Sequence, residues 1–206
     1  MEIRPVTARE LDEVVDIFAA AFYDSISFFT PLTPKIKVAL KDFFQLLLLV
    51  FGPGFMVAVE NGQVLGYIVM APDIRRLWLA AVFSGFTFKL AVKTIAGAYG
   101  VSGATIKKIV HNKLYYMRFE VATDPGGQLL SIGVIPEHQG KGIGRKLIAA
   151  GIDYLALHNV SRIKLEVRPT NTAAAHLYAS FGFVPVGQAR DLQGEWIVMV
   201  KELSPC

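Results

Sequence analysis

Apolar and polar positions along the chain repeat with two periods, one of about two residues and one of about three and a half. Glu2 to Val6 alternates as a short strand. Thr7-Ala-Arg-Glu10 follows as a capping box, opening a helix that buries Val14, Ile17, Phe18 and Phe22 on one face. A second helix is predicted over Pro34 to Val50, closed by Gly52-Pro53-Gly54. Phe55 to Val59 and Val64 to Met70 read as strands paired across Glu60-Asn-Gly-Gln63, an Asn-Gly hairpin. Leu129 to Ile135 reads as a buried strand in which Ser131 is the only polar side chain. Ile148, Ile152 and Leu155 then recur at helical spacing. Arg162 to Arg168 alternates strictly, with Ile163, Leu165 and Val167 on one side and Lys164, Glu166 and Arg168 on the other. Pro169 stops that strand. Asn171 or Thr170 caps a short helix through Ser180, and Gly182 stands where a left-handed residue is wanted. Phe183 to Val186 and Trp196 to Lys201 supply the last two strands, and no internal repeat or low-complexity linker interrupts the order.

Between the Leu129–Ile135 strand and the helix after it lies a glycine-rich turn, Val134-Ile-Pro-Glu-His-Gln-Gly-Lys-Gly-Ile-Gly-Arg145. Such a turn leaves backbone N–H groups unpaired at a helix N-terminus, where the helix dipole favours negative charge, so it suits a phosphate. A P-loop requires Ser or Thr after a Gly-Lys pair, and none follows here. A dinucleotide fingerprint counted from Gly140 and Gly142 meets Arg145 where its third glycine belongs. What remains is Gln139-x-x-Gly142-x-Gly144.

This pattern resembles the acyl-CoA pyrophosphate loop of the GNAT superfamily of N-acyltransferases, usually Gln/Arg-x-x-Gly-x-Gly/Ala. Downstream, Leu165-Glu-Val-Arg-Pro-Thr-Asn-Thr-Ala-Ala-Ala-His-Leu-Tyr-Ala-Ser-Phe-Gly-Phe183 is most similar to the ribosomal-protein alanine acetyltransferase branch. The likeness is dense from about Gln128 to Phe183 and thin outside it. It implies the GNAT fold, an α/β (α+β) arrangement whose mixed, mostly antiparallel central sheet is splayed at the CoA site. It also implies acetyl-CoA as cosubstrate. On this resemblance the backbone of Gln139, Gly140, Lys141, Gly142, Ile143, Gly144 and Arg145 binds the pyrophosphate, with Lys141, Arg145 or Lys146 reaching outer phosphates. Ile132 and Val134 offer backbone groups to the pantetheine arm and thioester oxygen, and Asn171 contacts the arm. Tyr178 matches the tyrosine that protonates the departing sulfur. Glu166 matches the proposed base of the alanine acetyltransferases.

Read without the family, Glu166 could equally pair with Lys164 or Arg168. Tyr178 belongs to an Ala174, Leu177, Tyr178, Phe181 stripe and could be a core aromatic. Gln128 stands where histone-acetylating relatives carry a glutamate base, and an amide cannot serve. Glu120 is the reserve base. His138 and His176 are expected to face solvent.

Length and composition bound the rest. The 206 residues suit a single domain over 1–206, and the lone Cys206 permits no intramolecular disulfide and no covalent acyl intermediate on a core thiol. A cytoplasmic setting is expected, the N-terminus lacking the basic-then-apolar order of a signal peptide. No metal and no nucleic acid are expected. The oligomeric state is open, a dimer included. Mean hydropathy is high, so spans need checking. Phe43 to Phe51 is too short to cross a bilayer, and Leu77 to Gly100 carries Lys89 and Lys93 in its interior.

One departure from a compact GNAT stands out: more than fifty residues separate Pro72 from Leu129. Asp73 to Arg118 holds eight basic residues against Asp73 alone, a net +7, which leaves −3 for the remainder of a chain of net +4. Arg75 to Phe83 and Phe86 to Tyr99 are predicted helical, with Gly85, Gly97, Gly100 and Gly103 as breaks. Leu114 to Val121 is expected to be a strand. This insertion after the third strand has three readings: packed helices with a solvated basic face, a wall holding an anionic acceptor, or an attachment to an acidic membrane surface. The leading function is therefore acetyl transfer from acetyl-CoA to a primary amine in a ternary complex. The acceptor could be a small anionic amine such as a nucleotide-linked amino sugar, or a protein N-terminus of the alanine type. The competing class is a non-catalytic CoA-binding or membrane-surface module on the same fold.

Overall fold

Among the described residues, seven strands form one sheet in the order β1-β2-β3-β4-β5-β7-β6. They are β1 (Glu2–Pro5), β2 (Phe55–Glu60), β3 (Gln63–Ala71), β4 (Gly127–Val134), β5 (Arg162–Val167), β6 (Val184–Asp191) and β7 (Gly194–Glu202). The computed structural model describes residues 1–117 and 126–203. Its helices are α1 (Leu11–Ala21), α2 (Tyr23–Phe29), α3 (Pro34–Phe51), α4 (Arg75–Phe83), α5 (Phe86–Ile95), α6 (Gly103–Met117), α7 (Ile143–Leu157) and α8 (Thr172–Ser180). The expected mixed, mostly antiparallel sheet with a helical insertion after its third strand is thus present.

Strand β3 shows how two layers arise from one alternation. Leu65, Ile68 and Met70 join Leu147, Ile148 and Leu155 of α7 beneath one face. Val64, Tyr67, Val69 and Ala71 join Leu11 and Val14 of α1 and Phe44 and Leu47 of α3 on the other. Burial on both faces is what a central strand requires. The two-residue period delivers it from Tyr67 to Ala71, and the bulge at Leu65, where Val59 pairs with Val64 and Ala58 with Gly66, shifts its phase. The β2–β3 hairpin turns through Asn61 (φ 51°) and Gly62 (φ 79°), both left-handed, as a two-residue turn demands. The capping box also forms: the Glu10 carboxylate accepts the Thr7 N–H and hydroxyl, each at 2.8 Å, ahead of α1.

Every strand pairing is antiparallel except β4–β5, which is parallel and covers only Gly127↔Ile163 and Gln128↔Lys164. Past that point β4 stays with β3 as far as Gly66↔Val134, while β5 stays with β7 as far as Val167↔Ile197. Each strand keeps its outer partner and the two part from one another. Their facing edges therefore present unpaired backbone groups to a gap. A bulge adds to this: Val69 pairs with Ser131 and Met70 with Leu129, so Leu130 is the extra residue on β4.

Several elements differ from the sequence reading; α5 ends at Ile95 and not Tyr99, and β6 runs on from Val186 to Asp191. Phe22 interrupts the first helix (φ −117°, ψ 25°), and α2 continues at a new angle; Val14 and Ile17 are buried as expected, whereas Phe18 and Phe22 are half-buried and stack at 4.7 Å. Gly103 opens α6 rather than breaking a helix, because the Ser102 hydroxyl caps it, accepting the Thr105 N–H at 3.1 Å. Helix α6 runs to Met117, so Leu114 to Met117 is helical and not strand. An unbroken apolar run such as Leu-Tyr-Tyr-Met carries neither period and cannot decide between them. Residues 118–121 of that expected strand, Arg118 and Glu120 among them, lie outside the described residues.

Candidate active site

The glycine turn meets α7 through Gly140 (φ 75°) and Gly142 (φ 80°), the latter at the helix N-cap. A Cβ at either would touch nothing within 4 Å, so glycine is required there for its left-handed backbone and not for space. At Gly144 a Cβ would meet Leu177 of α8 at 3.4 Å, an ordinary contact. The first helical hydrogen bond of α7 runs from the Lys146 N–H to the Gly142 carbonyl at 3.1 Å. The N–H groups of Ile143, Gly144 and Arg145 therefore have no acceptor within the helix, which is the donor set an anion needs. Ile143 can contribute only that N–H, since its side chain is core.

Around this turn several side chains are already engaged. Gln139 Nε2 donates to the Val134 carbonyl at 3.2 Å and so closes the turn on itself. Arg145 donates to Ser180 Oγ at 3.0 Å and lies over the Phe181 ring at 5.2 Å, while Lys141 is exposed. His138 is half-exposed, and its Nδ1 is buried without a hydrogen-bond partner among the described residues. His176 is exposed as expected.

Where β4 and β5 part, a cleft of about 740 Å³ opens. Gln128 to Ile132 of β4 form one wall and Glu166 to Arg168 of β5 the other, with Asn171, Ala174 and Tyr178 closing one end and α2 the other. Ile132 thus lines the cleft; Val134 lies beyond it beside the turn. Asn171, not Thr170, caps α8, its Oδ1 accepting the Ala174 N–H at 3.1 Å. That leaves the Asn171 amide NH2 as the group able to meet a ligand.

Tyr178 is buried and packs edge-on against Phe183 at 6.0 Å, so the helical stripe is real. It also lines the cleft, and burial pushes its hydroxyl up to about 12. It therefore holds its proton across the physiological range and can give it only to a strong base nearby. Glu166 lines the same cleft with its side chain mostly covered, and Lys164 Nζ lies 3.1 Å from its Oε1. The pairing with Lys164 weighed from the sequence is present. Arg168 instead binds Asp191 at 3.1 Å and stacks over Trp196 at 3.6 Å.

The sequence reading missed the groups that shape the rest of the cleft. Ser131 lines it, and the fully buried Tyr67 hydroxyl sits 2.7 Å from Ser131 Oγ, with burial raising the Tyr67 pKa. Trp196 lines it with Nε1 buried and unpartnered among the described residues. Two residues of α6 hold its rim: Lys108 Nζ donates to the Phe28 carbonyl and lies 3.7 Å from that ring's centre, and Asn112 Oδ1 accepts the Leu192 N–H at 2.7 Å. No signal in the sequence joins positions eighty residues apart. None of the insertion's cations lines the cleft among the described residues. Lys89 and Lys93 turn away from it to Asp42 of α3, at 2.9 and 2.6 Å.

An anion cradle at a helix N-terminus, a sheet split beside it and a buried tyrosine in the split together define an acyl-CoA-binding transferase domain. The sequence profile of the Acetyltransferase (GNAT) family matches residues 11–183, and the chain belongs to that family of acetyl-CoA-dependent transferases. Mycothiol acetyltransferases are similar over a short stretch: that of Renibacterium salmoninarum is 49% identical over 57 residues, 28% of this chain and 17% of the relative. That of Kocuria rhizophila is 47% identical over 57 residues, 28% and 19%. The chain thus spans about a fifth of the length of these curated relatives. Among solved structures, the ribosomal-protein-S18-alanine N-acetyltransferase of Escherichia coli superposes with a TM-score of 0.56 at 20% identity, over 100% of this chain and 95% of that one. The acetyltransferase yncA of Salmonella typhimurium, solved with acetyl-CoA, gives 0.60 at 20% identity over 100% and 95%. Both likenesses concern the fold.

Proposed function

We propose that the chain transfers an acetyl group from acetyl-CoA to a primary amine by direct attack within the cleft. The observation that carries this reading is the opening between β4 and β5, which brings Glu166 and Tyr178 to one cavity beside the glycine turn. The turn's N–H groups hold the pyrophosphate, and Asn171 and the free edge of β4 at Ile132 and Val134 hold the arm. Glu166 takes the proton of the attacking ammonium, directly or through water. The amine nitrogen bonds to the thioester carbon, the carbonyl oxygen gains charge against backbone N–H groups near the Leu130 bulge, and the tetrahedral carbon expels the thiolate. Tyr178 gives that thiolate its proton, and the second proton of the nitrogen, released as the amide forms, returns to the Tyr178 oxygen directly or through water. Burial keeps Tyr178 protonated until the thiolate forms, and the same exclusion of water makes a thiolate beside it a stronger base.

For the acceptor, the cleft wall supports an amine with an apolar flank over an anionic one. Phe22, Tyr23 and Phe28 line it, and its carboxylates, Asp24 and Glu166, face a single arginine already tied to Asp191. The nucleotide-linked amino sugar drew its support from the insertion's cations; of those described, Lys89 and Lys93 bind Asp42, and Lys108 at the rim is engaged by the Phe28 carbonyl. A protein N-terminus with a small first residue fits the wall better. The deciding experiment is steady-state thiol release with a nucleotide-linked amino sugar, an alanine-ended peptide and an aromatic monoamine. Turnover of the peptide or the monoamine supports the reading. Acetyl-CoA binding with no turnover on any amine would instead leave a non-catalytic CoA-binding module.

A further inference from the structure

Helix α5 is amphipathic in the reverse sense for a helix at a water surface. Its two cations, Lys89 and Lys93, lie one turn apart and both face inward to the buried Asp42 of α3, which Tyr99 also reaches at 2.7 Å. Helical spacing then turns Phe88, Ala91 and Ile95 outward, and Phe88 is 74% and Ile95 87% exposed. The preceding helix α4 does the same with Leu79 and Phe83, at 58% and 82%. Polar groups are spent on holding α5 to the body of the protein while its large apolar side chains are left outside. Water gives no reason for that arrangement, and contiguous exposed apolar surface of this kind marks a contact with something apolar.

We infer that the outward face of α4 and α5 docks on an anionic lipid bilayer surface. Charge complementarity selects this occupant. Between Asp73 and Glu120 the sequence contains no Asp or Glu, while Arg75, Arg76 and Lys107 are exposed in that stretch. Arg75 and Arg76 open α4 beside the apolar face, Arg75 paired with Asp73 at 2.8 Å and Arg76 exposed. The stretch from 74 to 119 is basic with no Asp or Glu, the charge that an interfacial helix on acidic lipid requires. A second copy of this chain fits poorly, because a two-fold contact would bring two copies of this basic stretch together. A protein partner needs hydrogen-bonding groups for orientation, and Phe83, Phe88 and Ile95 offer none. The geometry lies flat on the surface. Among the described residues no single helix is long and apolar enough to cross a membrane, and the α4–α5 pair bends by 57° at its break. Each is at most ten residues, about 15 Å, half of a hydrocarbon core.

Flotation of the whole chain with lipid vesicles tests this. Vesicles of phosphatidylcholine with three parts in ten phosphatidylglycerol are expected to carry the protein up the gradient, and less so as salt is raised, while pure phosphatidylcholine carries at least tenfold less. Phe88→Ser with Ile95→Ser, and separately Leu79→Ser with Phe83→Ser, should each cut anionic-vesicle binding at least tenfold. Leu157→Ser, an exposed leucine on α7, should leave it unchanged. The substituted positions are exposed, so acetyl-CoA binding by each variant is expected to match the parent and reports that the fold persists. Equal binding to neutral vesicles, no flotation at all, or a concentration-dependent dimer dispersed by the same substitutions would each overturn the inference, the last by putting a second copy on this face.

Discussion

Asn112 of α6 accepts the Leu192 N–H at 2.7 Å, and this bond ties the insertion to the turn between β6 and β7 on the rim of the cleft. Its counterpart on the opposite lip is Lys108 at Phe28. Among the described residues the insertion thus reaches the cleft rim through these two contacts, and none of its cations lines the cleft. Asn112→Ala removes the acceptor and leaves the Leu192 N–H unpaired, a loss of about 1 kcal/mol. The expected outcome is a KM for the amine raised about fivefold with the KM for acetyl-CoA unchanged. Equal rises in both would show that the bond serves the fold at large.

Glu166→Gln keeps the shape and removes the base. A drop of about a hundredfold or more in kcat/KM at neutral pH is expected, the usual scale for a positioned base. The deficit should shrink as pH rises toward the amine's own pKa, because the acceptor then arrives deprotonated. A deficit constant from pH 7 to 10, measured by thiol release, removes Glu166 from the role.

Tyr178→Phe is expected to lower kcat by about tenfold to a hundredfold while acetyl-CoA still binds. The same residue links stability to alkaline pH. Burial raises its pKa from 10.0 to about 12, so the folded state holds the proton more tightly than the unfolded chain. The stability this represents, roughly 3 kcal/mol, is fully present below pH 10 and is lost as pH climbs from 10 through 12. Denaturant unfolding across that range should show the parent losing stability relative to Tyr178→Phe, in which nothing ionises at this position.

Asp42 anchors α5. Burial pushes its carboxyl up, but hydrogen bonds from Lys93, Tyr99 and Lys89 outweigh that and hold it at about 2. Its folded pKa lies below the ordinary 3.8, so its contribution is present above that value and is lost as pH falls toward 2. At neutral pH Asp42→Asn should weaken the docking of α5 by about 2 kcal/mol. Tryptic cleavage after Lys89 and Lys93 is then expected to quicken by roughly thirtyfold, while α7 stays protected. Unchanged cleavage would mean that apolar contacts alone hold the insertion.

What the sequence carried by itself was local and periodic. The alternation of Arg162 to Arg168, the capping box at Thr7, the Asn61-Gly62 turn and the spacing of Gly140, Gly142 and Gly144 all encode their geometry within a few residues. Each rests on backbone sterics or on the two helical and strand periods, so the elements and the donor loop were legible. The tertiary structure alone decided which partner a charged side chain meets. Lys164 and not Arg168 neighbours Glu166, because Asp191 and Trp196, from strands far along the chain, claim Arg168. Lys89 and Lys93 look like a solvated basic face in sequence and are partners of Asp42, some fifty residues earlier. Charge counts do not record direction. A lysine's sequence neighbours fix which face of its helix it occupies, but only long-range packing determines whether that face meets water, a carboxylate or the outside of the protein.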